Sequence, residues 1–164
     1  MSNGEPLLVT TLSFVSDTLD SSGVVLALYP VLSAVLVAVL IYLTATSLTR
    51  DRRVGVASAL FFAVIPASVV RTALGFADHH PFDYIWLALT VLFLVILSKK
   101  SCHDAQLRNP RTWLISLLLG VVVAFQVLSW DNSPLLIAPI GLYAVIDVLS
   151  EYNDKTSGDG FSVL

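Results

Sequence analysis

From Gly23 to Leu48 the chain runs without one charged residue. At roughly 1.5 Å per residue such a run is long enough to cross a bilayer with some tilt. Four further apolar segments follow it, each bounded by charged or polar residues: Val54–Val70, Pro81–Ser98, Trp113–Leu128 and Pro134–Ser150. These four are at the short end of the roughly 17–25 residues expected of a span. Pro66 lies inside the second, where a missing N–H and a ring clash kink a helix or end it early. Residues are 56% hydrophobic and only 13% charged, against about a quarter charged in soluble domains. The predicted fold is all-α: a polytopic membrane bundle of about five transmembrane helices. Residues 1–22 form an external N-terminal segment, 23–150 the transmembrane domain, and 151–164 a polar cytoplasmic tail, predicted to be disordered.

Lys and Arg are distributed unevenly among the connections. Arg50, Arg52 and Arg53 occupy the first; Lys99, Lys100, Arg108 and Arg111 the third. The second holds Arg71 alone and the fourth, Ser129–Ser133, none. Alternate loops are thus basic, as the positive-inside rule expects of a multi-pass protein in the cell membrane. Loops one and three then face the cytoplasm, and the Arg71–His80 loop faces outward. A net charge of -3 without a basic run excludes a nucleic-acid partner. Cys102 is the only cysteine, which excludes an intrachain disulfide and a cysteine zinc site. Leu7–Val15 is too short and too rich in Thr and Ser for a secretory signal. It is expected to lie against the membrane or pack on a neighbouring helix.

The second connection, Arg71-Thr72-Ala73-Leu74-Gly75-Phe76-Ala77-Asp78-His79-His80, concentrates the chemistry. Ionisable residues at or near membrane depth are costly and mark candidate sites. Extended backbone points i and i+2 the same way, and Pro81 biases His80 towards extended geometry. Asp78 and His80 are therefore expected to aim at one divalent ion, with His79 turned aside. Gly75 gives the backbone freedom ahead of them. Arg71 is a fixed cation suited to bidentate phosphate or carboxylate contacts. The same residues also suit a plainer role, an acid capping the next helix and paired with Arg71. Asp83 is read as interfacial or as a supporting partner of the loop, and Trp86, Trp113 and Trp130 as an aromatic belt. Asp147 and His103-Asp104 are read as solvated or snorkelling.

The pattern Val70-Arg71-Thr72-x-x-Gly75-x-x-Asp78-His79-His80, led in by Ile65-Pro66-Ala67-Ser68-Val69, resembles the catalytic subunit of archaeal oligosaccharyltransferases. Leu28-Tyr29-Pro30 and Arg53-Val54-Gly55-Val56-Ala57-Ser58-Ala59 are similar to that family's second and third helices. The resemblance covers roughly residues 20–150 and implies a GT-C type glycosyltransferase membrane region. It implies transfer of an oligosaccharide from a dolichol phosphate carrier to a protein asparagine. It also implies catalytic roles for Arg71 and Asp78, with Mg²⁺ or Mn²⁺ held by Asp78 and His80. Membrane lipid, the lipid-linked oligosaccharide and the acceptor protein are the expected partners. The family's first acidic motif, its later catalytic glutamate and its Trp-Trp-Asp-Tyr-Gly domain have no counterpart. The chain is therefore expected to be a fragment, a truncated copy or a subunit completed by a second polypeptide. Two other classes compete: a transporter or ion-coupling protein, which predicts interrupted helices in repeated halves, and an inactive structural remnant that binds no metal.

Overall fold

The computed structural model describes residues 6–76, 78–98 and 110–129, together with helical backbone at 138, 139, 141, 142, 145, 146 and 149. The chain divides into two compact units, Met1–Asp131 and Asn132–Leu164. Among the described residues of the first unit there are helices and no strand: α1 Pro6–Leu19, α2 Ser22–Thr49, α3 Arg52–Val64, α4 Pro66–Arg71, α5 His80–Ser98 and α6 Pro110–Ser129. Three of these, α2, α5 and α6, are long and apolar enough to cross a membrane. The fifth expected span and the tail fall mostly or wholly outside the described residues, as do Trp130, Asp147, Cys102 and His103-Asp104.

The second expected span is divided where its proline predicts. Pro66 has no N–H to donate and follows Ile65, whose backbone is extended (φ -61°, ψ 125°), so α3 stops at Val64 and α4 starts anew. Thirteen residues of α3 are too few for a span. With α4, however, they lead from Arg52 beside the end of α2 back to its beginning, where the Gly75 N–H donates to the Ala27 carbonyl at 3.1 Å. Ala27 and Arg50 are separated along α2 by about 34 Å of helix at 1.5 Å per residue, comparable to the roughly 30 Å of a hydrocarbon core. The Arg71–His80 loop and the arginine-bearing Arg50–Arg53 turn thus occupy opposite ends of the bundle.

α2 packs on α3 and α5, and α5 on α6. The α2–α3 turn is short because Arg50 adopts the left-handed conformation (φ 60°) and Asp51 caps α3, accepting the Arg53 N–H at 2.8 Å. Close approach then needs Gly55. A Cβ there would overlap Thr46 Oγ1 and fall 2.9 Å from the Tyr42 carbonyl oxygen. α5 runs parallel to α2, Tyr29 and Phe82 meeting near their starts in a cluster with Leu8 of α1. The Leu7–Val15 segment is thus helical and packs on its neighbours. α6 runs antiparallel to α5: Thr90 Oγ1 donates to Gln126 Oε1 at 3.2 Å, and Ser129 Oγ to Asp83 Oδ1. Trp86 sits between them edge-on to Phe125 and Phe82, with centroids at 5.1 and 5.6 Å. Packing, and not a belt position alone, explains that tryptophan.

Candidate functional site

Three pieces of local structure build the loop after α4. Arg71 ends α4, where a cation complements the carbonyl end of the helix. Gly75 then turns the chain with φ 79°, a conformation only glycine adopts without strain. Asp78 finally folds the chain back on itself: its N–H donates to the Phe76 carbonyl at 2.9 Å, and its Oδ1 accepts the His79 N–H at 2.8 Å. A short acid that hydrogen-bonds its neighbour's backbone makes a turn in place of an extended segment. α5 accordingly begins at His80, one residue earlier than the proline suggests.

This turn corrects the expected direction of His79. Alternation would send it away from Asp78, but its Nδ1 lies 2.9 Å from Asp78 Oδ1. His80 Nδ1 lies 3.6 Å from Oδ2 of the same carboxylate. The two imidazoles meet edge-on with centroids at 4.1 Å. Behind them Tyr84 is edge-on to His80 at 6.3 Å and to Phe62 of α3 at 6.4 Å, so α3 and α5 both back the cluster. Sequence reasoning omitted His79; the signal available was that an aspartate ahead of two histidines and a proline favours a turn.

Arg71 completes the site. Its Nη1 donates to Asp78 Oδ2 at 2.5 Å, the guanidinium half-exposed and the carboxylate mostly shielded. Partial burial pushes the Asp78 pKa up. The Arg71 hydrogen bond, the His79 N–H and the positive potential of the two imidazoles outweigh it, leaving Asp78 below its ordinary 3.8. The plainer reading was therefore right about the Arg71–Asp78 pair, although Asp78 bonds the N–H of His79 and not those of the first turn of α5.

The donor set also fits a divalent cation. One ligand atom from each of Asp78, His79 and His80 falls within 4.8 Å of the others. A common ion with ligands at about 2 Å would hold them up to about 4 Å apart, a small contraction. One carboxylate and two imidazoles suit an ion of borderline hardness better than one that demands oxygen alone. Arg71 adds a second positive charge, so cation and guanidinium together would leave the loop suited to an anion between them.

Residues 5–153 match the family model "Oligosaccharyl transferase STT3, N-terminal". The chain is 29% identical over 135 residues to dolichyl-phosphooligosaccharide-protein glycotransferase 2 of Archaeoglobus fulgidus, covering 82% of this chain and 20% of that protein. Glycotransferase 1 of the same organism is 32% identical over 126 residues, covering 77% and 19%. The solved structure of the archaeal oligosaccharyltransferase AglB from A. fulgidus, in complex with an inhibitory peptide and a dolichol-phosphate, superposes with a TM-score of 0.74 at 27% identity. It covers 85% of this chain and 17% of that one. The chain thus spans about a fifth of the length of its curated relatives. With apolar helices of spanning length and this match across nearly its whole extent, the protein is a multi-pass membrane protein and belongs to the oligosaccharyl transferase STT3 family.

Proposed function

We propose that this chain forms part of the membrane region of an oligosaccharyltransferase, and that its Arg71–His80 loop serves the transfer of a glycan from a dolichol-phosphate-type carrier to a protein asparagine. The observation that carries this reading is the convergence of Asp78, His79 and His80 on one point beside Arg71. In such a transfer the asparagine amide nitrogen bonds to the sugar's anomeric carbon and gives up a proton, which passes to the released phosphate or to solvent. The bond from that carbon to the carrier phosphate breaks, and the phosphate leaves with the electron pair. Negative charge therefore grows on the phosphate, where a preorganised cation lowers the barrier most.

Arg71 would receive that phosphate, a role supported by its hold on Asp78 through one nitrogen and by a side chain that is otherwise half-exposed. Asp78, kept ionised, has the lone pairs to accept an amide N–H and orient the acceptor. Mg²⁺ or Mn²⁺ held by Asp78 and His80, with His79 as a third donor, would add charge neutralisation at the phosphate, and the imidazoles favour Mn²⁺. An external position for the loop agrees with the positive-inside rule, since the arginines of the α2–α3 turn lie at the other end of the bundle. Transfer of glycan to an asparagine peptide by the protein in its native membranes tests the proposal. Asp78→Ala and Arg71→Ala should each abolish most transfer; full transfer by either variant would contradict the assignment.

A further inference from the structure

Asp83 is the one acid of α5, and it does not face outward. Its side chain is 5% exposed and accepts a hydrogen bond from the hydroxyl of Ser129, itself 0% exposed, at the last residue of α6. An acid in a first turn complements the helix dipole without being buried, and burial adds a desolvation cost. The backbone connects this contact to the loop. The Asp83 N–H donates to the His79 carbonyl at 3.1 Å, and the Phe82 N–H donates to the same oxygen at 2.9 Å. His79 in turn meets Asp78 through both its N–H and its ring. A continuous chain of hydrogen bonds therefore runs from α6 through Asp83 and His79 to the carboxylate at the centre of the site.

The geometry assigns Asp83 the role of a positioning residue. Anchored to Ser129, it fixes the first turn of α5 and so fixes where His79 and His80 stand relative to Asp78. The assignment rests on the loop being a binding site, but the order it imposes on the loop can be measured without any ligand. Thr90–Gln126 provides an internal comparison, because it joins the same two helices about two turns further along α5 from the loop.

The test uses the full chain in detergent micelles and compares Asp83→Ala, Asp83→Asn, Ser129→Ala and Gln126→Leu. Amide hydrogen exchange at Gly75–His80 is read without metal, and Mn²⁺ affinity by loss of the free-ion electron paramagnetic resonance signal. Asp83→Ala and Ser129→Ala should speed exchange in the loop and weaken Mn²⁺ binding about tenfold, as removal of a residue that orients ligands does. Asp83→Asn, which keeps an oxygen to accept from Ser129, should restore both. Gln126→Leu should leave loop exchange unchanged. Equal loosening by Gln126→Leu, or unchanged loop exchange in Ser129→Ala, overturns the assignment. Should Asp83→Ala fail to fold, Ser129→Ala decides, because it removes only a hydroxyl. If the wild type takes up no Mn²⁺, the cation reading falls, and the exchange comparison still decides the role of Asp83.

Discussion

Asp78 is the residue on which the site depends, and its electrostatics are testable alone. Partial burial pushes its carboxyl up, but Arg71, the His79 N–H and the two imidazoles together hold it below the ordinary value. A depressed carboxyl stabilises the folded loop fully above the unfolded pKa of 3.8, and that contribution is lost as pH falls through the lower folded value. Carboxyl carbon NMR of Asp78 should show a titration below the usual aspartate range. Arg71→Ala should move it upward, since burial then acts with one opponent fewer. An unmoved midpoint would mean that the guanidinium contact is not what holds the charge. Arg71, Gly75, Asp78 and His80 were legible in the sequence because each is unusual between apolar segments. His79 was not, because its direction depends on a hydrogen bond from its own backbone to the preceding side chain.

The helices show which local rules were strong enough to survive packing. Pro66 divided its segment as predicted, because Ile65 before it takes an extended backbone, whereas α2 runs on through Pro30 and shows that a missing N–H alone does not end a helix. The third and fourth apolar segments became α5 and α6, with Ser98 unmoved as an end and the other three ends moved by one to three residues. The inward turn of Asp83 was beyond the sequence: an acid in the first turn reads alike whether it meets solvent or a neighbouring helix. Gly55 and Gly120 give the sharpest contrast between two glycines of one composition. A side chain at Gly55 must displace the Tyr42 backbone or Thr46, whereas nothing stands within 4 Å of one at Gly120. Gly55→Ala should cost about 1–3 kcal/mol in reversible unfolding, as overpacking does. Gly120→Ala should be neutral or up to about 1 kcal/mol stabilising, from helix propensity alone. Equal effects would show that α2 and α3 do not approach as described.

For the molecule as a whole, alternation of basic loops in the sequence and parallel packing of α2 with α5 lead independently to one topology. The Arg71–His80 loop and the Arg50–Arg53 turn are at opposite ends. With Cys102 replaced by Ser, a membrane-impermeant maleimide should label Leu74→Cys in intact cells and Arg52→Cys only after permeabilisation. Labelling of both from one side would contradict the arrangement. The remaining question is whether the end that carries Asp78 binds a cation, and Mn²⁺ titration of the purified protein followed by electron paramagnetic resonance answers it directly. Saturable uptake of one ion is expected, lost in Asp78→Ala and weakened comparably in His79→Ala and His80→Ala, since all three converge. Uptake of equal affinity in wild type and Asp78→Ala, or none in the wild type, would contradict the site.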